Sequence, residues 1–141
     1  MKRFNIRVYG ICVNENKEIL LSDESFKGHE FTKFPGGGLE WGEGTRECLI
    51  REFQEEFQLE IEVGELFYLT DFFQASAFSE VDQVISAYYH IRVPDSFFSH
   101  EVKGDKGEIL RWIDLNHFHE DLLTFPIDRH VAQKIRLHYE K

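Results

Sequence analysis

The chain has only two cysteines among its 141 residues, too few for a disulfide framework. Cys12 falls in a strand pattern and Cys48 in a helical one, so both read as buried free thiols. No apolar run is long enough to cross a bilayer. The start, MKRFNIRVYG, carries basic residues but no continuous apolar stretch, and a secretory signal is not expected. These absences point to a cytoplasmic protein with no membrane partner. Excess positive charge is missing too: the formal net charge is −10. The long-range field of such a chain repels polyphosphate backbones, which excludes a general binder of nucleic acid polymers or anionic membranes. A small phosphorylated substrate is not excluded, because a bound cation reverses the sign locally. Repeats, low-complexity tracts and linkers are also lacking. The expectation is one domain over residues 1–141, near the commonest domain size and long enough to bury a core. Fourteen phenylalanines supply bulky packing.

What the chain does have is concentrated in FPGGGLEWGEGTRECLIREFQEEFQL, from Phe34 to Leu59. A glycine-rich turn runs into a segment with helical periodicity, expected over Thr45–Phe57. Thr45 is the expected N-cap, its hydroxyl accepting from free first-turn amides. At about 100° per residue, Leu49, Ile50, Phe53 and Phe57 cover one arc and face the core. Glu47, Gln54 and Gln58 face water. Glu52, Glu55 and Glu56 fill the stripe between, because positions three and four apart share a helix face. Like charges at that spacing weaken a helix by a few tenths of a kcal/mol per pair. That cost makes sense beside a cation. Carboxylate oxygens suit hard divalent metals, and magnesium commonly combines a few of them with substrate phosphates. The residues alone therefore point to a metal-dependent enzyme acting on a phosphate compound.

The same stretch resembles the box of the Nudix hydrolases (MutT-like), G-x5-E-x7-R-E-U-x-E-E-x-G-U, with U a bulky aliphatic residue. Gly37, Glu43, Arg51, Glu52, Glu55 and Glu56 match its six fixed identities, and Leu59 fills the last U. With each residue type at roughly one in sixteen, a random start matches all six about once in ten million. Two positions depart. Phe53 is aromatic where an aliphatic residue is usual, and Gln58 replaces the closing glycine, which implies a different exit geometry because glycine tolerates positive φ more readily.

The resemblance implies an α/β fold, the Nudix α/β/α sandwich with a mixed β-sheet between helices. It implies Mg²⁺, with Mn²⁺ as an alternative, held by Glu52, Glu55 and Glu56 and by a glycine carbonyl from Gly36 or Gly37. Glu52 or a nearby carboxylate would help to deprotonate water. Arg51 and Glu43 would form an ion pair bracing the turn against the helix, or Arg51 would touch substrate phosphate. The implied activity is cleavage of a pyrophosphate bond in a nucleoside diphosphate linked to another moiety: a nucleoside triphosphate, a dinucleoside polyphosphate or a nucleotide sugar. ADP-ribose ranks lower, since 141 residues leave little room for an extra N-terminal domain. The alternative is a binding module that senses nucleotides or sugars without chemistry. A homodimer is compatible with the sequence but nothing demands it.

Elsewhere, Ile6–Val13 and Glu18–Ser22 read as two strands of a hairpin about the turn Asn14-Glu15-Asn16-Lys17. Phe31–Phe34, Ile61–Phe73, Val81–Val93 and Ile109–Leu115 read as further strands. The run from Pro94 to Gly107 is the longest expected loop, and Asp128–Tyr139 reads as a helix after Pro126. Weaker site candidates are Glu108, a further carboxylate for the metal or a solvated loop residue, and the pair His117 and His119, whose spacing alone more often marks a surface pair than a zinc site. Phe72, Phe73, Phe78, Tyr88 and Tyr89 are candidates to stack a base, with core packing the commoner role. Trp41 is expected at the cleft mouth or over the glycine turn.

Overall fold

The computed structural model describes residues 1–97 and 101–140. Strands β1 (Arg3–Ile11), β2 (Glu18–Phe26), β3 (His29–Lys33) and β4 (Gly36–Gly38) precede helix α1 (Thr45–Phe57). Strands β5 (Glu62–Leu69), β6 (Asp82–Arg92), β7 (Val102–Lys103) and β8 (Ile109–Asp114) follow, and helix α2 (Pro126–Tyr139) comes last. They build two four-stranded sheets, ordered β4-β1-β6-β5 and β3-β2-β8-β7. The first is mixed, with β1 parallel to β6 and antiparallel to β4. The second is antiparallel throughout.

Strand alternation feeds two cores. Val8 and Leu20 join Cys48, Leu49, Phe53 and Phe57 of α1. Their neighbours Tyr9, Ile11, Ile19 and Leu21 turn the other way and meet Ile127, Val131, Ala132 and Ile135 of α2. Successive side chains on a strand point to opposite faces, so one strand serves both helices and the layers read helix, sheets, helix. This is the expected α/β/α sandwich, with the strands divided between two sheets.

The expected hairpin survives only at its turn. Asn14 Oδ1 accepts from the amides of Asn16 (3.0 Å) and Glu18 (2.9 Å), and Lys17 takes φ 60°. Beyond the Val13–Ile19 bridge the two strands part and enter different sheets. Ile19, Leu20 and Leu21 are all buried, so β2 is covered on both faces and needs neighbours of its own. β5 is shorter than Ile61–Phe73: it carries two register shifts and ends at Leu69, where Thr70 bonds to Ser86 and turns the chain away. The Pro94–Gly107 run is not all loop, since it holds a short 3₁₀ turn at Asp95–Phe97 and β7; its residues 98–100 lie outside the described residues. α2 starts at Pro126, two residues before Asp128, with proline at the first helical position where a missing N–H costs nothing.

At α1 three local expectations change. The N-cap is Gly44, in extended geometry, whose N–H is accepted by Glu47 Oε1 at 2.8 Å. Thr45 sits one residue inside, and its hydroxyl meets that of Tyr89 at 2.7 Å. Ile50 is 45% exposed, and Cys48 fills the arc in its place. Gln58 adopts the left-handed geometry (φ 55°, ψ 36°), its N–H bonding to Gln54 O at 3.0 Å. The helix exit is therefore the one a glycine would make, carried by glutamine at a cost on the order of 1 kcal/mol.

Candidate functional site

The glycine turn and α1 face each other because β4 is all glycine and lies antiparallel on β1. At Gly36 (φ 148°) an added Cβ would stand 2.0 Å from the Val8 carbonyl oxygen, so only glycine fits. At Gly37 an added Cβ would fall 2.4 Å from the Glu52 carboxylate carbon. The Glu52 carboxylate thus fills the volume where residue 37 lacks a side chain.

Arg51 organises the rim of this turn. Its Nε and Nη2 donate to the two oxygens of Glu43 at 2.9 and 2.7 Å, a bidentate fork. Nη2 also donates to Gly38 O at 3.0 Å, and Nη1 reaches Glu52 and Glu55, each at 3.2 Å. Hydrogen bonding to Arg51 holds the Glu43 carboxyl down at about 2. The ion pair links the turn to the helix.

The three carboxylates do not share one fate. Glu52 and Glu56 come together: burial, then hydrogen bonding with Glu52, raises the Glu56 carboxyl to about 8. Glu55 is more exposed and leans toward Arg51. Among the described residues no three acidic, His or Cys side chains converge as a ready cage. The donor set nevertheless suits magnesium, which usually takes one or two protein carboxylates and completes its shell with water and phosphate. Two carboxylates pressed together with one held protonated, over a glycine stripped of its Cβ, are what a divalent cation would relieve. The Gly36 carbonyl already accepts from a cation, Lys33 Nζ at 3.1 Å, whereas the Gly37 carbonyl faces the Cys48 thiol at 4.0 Å. Of the two carbonyls named from sequence, Gly36 is the one turned toward positive charge.

A cavity of about 630 Å³ adjoins this edge, with Glu56, Glu108, Arg7 and Lys33 in its walls. Glu108 is 6% exposed, and its Oε1 accepts from the Lys106 amide at 2.9 Å. It is not a solvated loop residue: the structure brings it to the same cavity as Glu56, whose carbonyl accepts from the Asp105 amide at 3.0 Å. Lys33 is 4% exposed and spends its three protons on Glu24 (3.0 Å), Gly36 O (3.1 Å) and Phe34 O (3.2 Å). Phe26, Phe31, Phe78 and Phe125, also in its walls, form a cluster of tilted and edge-on rings 5.1–5.9 Å apart. Asp128, in the same lining and 2% exposed, accepts from the Tyr88 hydroxyl through Oδ1 and leaves Oδ2 without a partner among the described residues. Burial pushes the Asp128 carboxyl up to about 6.

Of the aromatic candidates, Phe78 and Tyr88 line the cavity. Phe72 packs on His130, Phe73 is exposed, and Tyr89 belongs to the α1 core. Trp41 is fully exposed, neither lining the cavity nor covering the turn, because nothing packs against it. His119 pairs with Glu120 (2.9 Å) and Asp121 (3.4 Å), while His117 is exposed, so the two form a surface pair. Arg7, Glu24, Lys33 and Asp128 were not singled out from sequence. Two of them carried a usable signal: Arg7 is a cation between Ile6 and Val8 in a strand pattern, and Lys33 lies next to the glycine turn.

Fold and site together define an α/β/α sandwich in which a glycine turn, an acidic helix and an aromatic-lined cavity share one edge. A model of the NUDIX domain family matches residues 3–135, and the chain belongs to that family. It is 43% identical over 58 residues to the 8-oxo-dGTP diphosphatase of Escherichia coli, a match covering 40% of this chain and 44% of that protein. The chain thus matches less than half the length of that relative. The solution structure of the E. coli ORF135 protein superimposes with a TM-score of 0.74 at 21% identity, covering 99% of this chain and 94% of the other. The MutT protein of Methanosarcina mazei Go1 gives a TM-score of 0.74 at 22% identity, over 99% and 98%. At these identities the structural likeness speaks for the fold.

Proposed function

We propose that the protein is a Mg²⁺-dependent hydrolase that cleaves a pyrophosphate bond in a nucleoside diphosphate linked to another moiety. The observation that carries this reading is the pairing of Glu52 with Glu56 against the glycine turn, at the edge of a cavity sized for a small ligand. Glu52, Glu56 and the Gly36 carbonyl would hold the metal, with Glu55 and Glu108 as further carboxylates near the same edge. Bound there, the ion would neutralise the phosphate oxygens and acidify an attacking water. The chain's own residues do the rest. Arg51 and Glu43 lock the turn so that the carboxylates keep their register. Glu52 or a nearby carboxylate would take the proton from water. The phenylalanine cluster offers π-faces to a base, and the free oxygen of Asp128 offers an acceptor to its edge. This favours a nucleotide, and among nucleotides a nucleoside triphosphate, the class on which the E. coli relative is named as acting. Two unpaired buried thiols support a cytoplasmic setting, and among the described residues no helix is long and apolar enough to cross a membrane.

The test is phosphate and pyrophosphate release from a panel of nucleoside triphosphates, dinucleoside polyphosphates and nucleotide sugars, with and without Mg²⁺, beside Glu52→Gln. Metal-dependent turnover that Glu52→Gln abolishes is the expected result. Ligand binding without turnover of any compound would replace the enzyme with a sensor.

A further inference from the structure

Arg7, half-buried in the cavity lining, is a cation whose hydrogen-bonding capacity is mostly unspent among the described residues. Arg7 lies on β1, opposite Gly38 of β4 and Ser86 of β6. Its Nε donates to the Tyr9 hydroxyl at 2.5 Å, and the guanidinium sits 5.6 Å from the Tyr9 ring centroid. That fixes the plane of the fork. The two terminal nitrogens make no hydrogen bond to protein among the described residues, and no carboxylate stands within ion-pair distance. Tyr9 first, and then Glu52 and Glu24, favour the charge, and neither carboxylate takes its protons. Nη1 stands over β4, 3.6 Å from where a Gly38 Cβ would be. Lys33, by contrast, is saturated by three oxygens.

An oriented, half-buried guanidinium with free N–H groups is a fork for two oxygens of one anion. Its position narrows which anion. It shares the cavity lining with Glu56, at the proposed metal edge, and with Phe26, Phe31, Phe78 and Phe125, the proposed base wall. A nucleotide that engages both would offer it the phosphate nearest the nucleoside. We propose that Arg7 is a substrate-binding residue that grips this phosphate through its two terminal nitrogens, with Tyr9 as the positioning residue that holds the fork in plane. The assignment rests on the reading of the site as a pyrophosphohydrolase. It adds a contact outside the acidic helix, on a strand that the family box does not include.

The test uses the full chain with Mg²⁺ and titrates imidodiphosphate, a pyrophosphate analogue that resists hydrolysis, by calorimetry. Wild type, Arg7→Met, Arg7→Lys and Tyr9→Phe are compared, with melting temperatures to establish that each is folded. Hydrogen bonds to charged groups predict about 10- to 100-fold weaker binding for Arg7→Met. Arg7→Lys should recover part of the loss, since a point charge replaces the fork. Tyr9→Phe should fall between wild type and Arg7→Met. The dependence of affinity on salt should be shallower in Arg7→Met than in wild type. Should folded Arg7→Met bind as wild type does while wild type turns over nucleotides, the assignment falls and the enzyme reading stands. If wild type turns over nothing yet binds the analogue through Arg7, the anion grip stands and the reaction does not. If wild type neither binds nor turns over, both are overturned.

Discussion

Gly36 and Gly37 are neighbours in sequence, yet replacing each with alanine should break different things. At Gly37 the new Cβ would come within 2.4 Å of the Glu52 carboxylate carbon and 2.5 Å of both its oxygens. Ordinary contact needs about 3.4 Å, so the carboxylate must retreat by roughly 1 Å. That group is the far end of a flexible side chain, and Gly37 does not use a positive φ. Stability should therefore fall by no more than about 1 kcal/mol. Catalysis should suffer far more, because a misplacement of about 1 Å at a reacting centre costs on the order of 10²-fold. At Gly36 the obstacle is backbone: the Cβ would lie 2.0 Å from Val8 O and 2.8 Å from Tyr9 Cα, at φ 148°. Neither group can swing aside without parting β4 from β1. Overpacking and a disfavoured dihedral together should cost about 3 kcal/mol or more. Urea denaturation gives the stabilities, and metal-dependent nucleotide hydrolysis gives the activities. A Gly37→Ala protein with wild-type turnover at limiting Mg²⁺ would refute the role given to Glu52. A Gly36→Ala protein as stable as wild type would refute the packing argument.

The carboxylates should separate in the same assay. Glu56→Gln should lose metal-dependent turnover on the order of 10²-fold, while Glu55→Gln, already drawn aside by Arg51, should lose about tenfold; equal losses would count against the division drawn here. Replacing Gln58 with glycine should raise stability by about 0.5–1 kcal/mol in urea melts, since glycine meets no Cβ penalty at φ 55°; a destabilised variant would contradict the strained exit. Asp128→Asn keeps an acceptor for the Tyr88 hydroxyl and removes the buried charge. The Asp128 carboxyl is raised from 3.8 to about 6, chiefly by burial, so the folded chain holds that proton more tightly than the unfolded one. The stability linked to it is fully present below about pH 4 and is lost as pH rises through about 6, on the order of 2–3 kcal/mol. Wild type should therefore lose stability relative to the variant over that window, and a pH-independent difference would show that Asp128 does not titrate there.

Spacing made the acidic helix legible, because the stripe depends on intervals along one helix; the Arg51–Glu43 brace was legible only through the resemblance to the Nudix box. Strand positions were legible wherever alternation was clean, as in β6 and β8. What sequence could not supply was partnership. The turn at Asn14–Lys17 has every mark of a hairpin, yet β1 and β2 part because each is buried on both faces and needs two neighbours. Gln58 broke a local rule that tertiary packing enforced anyway. The fates of Glu52, Glu55 and Glu56 also escaped periodicity: one helical stripe places all three, and only Arg51 and the glycine turn decide which of them turn inward. Asp128 and Tyr88 lie 40 residues apart, and no local pattern links them.

The same cavity explains how a chain of net charge −10 could receive a polyphosphate. Its walls hold Arg7, Lys33 and Lys106 against Glu24, Glu56, Glu108 and Asp128. With Glu56 raised to about 8, three cations face three anions near neutral pH, so the lining is close to balanced while the rest of the surface is acidic. A cation entering between Glu52 and Glu56 would displace the shared proton and still leave the lining more positive than before. The acidic exterior then works against nucleic acid polymers, whose many phosphates meet the whole field, and little against a short phosphate chain that meets only the cavity. Selectivity for small anhydrides over polymers would follow from where the charges sit rather than from their sum.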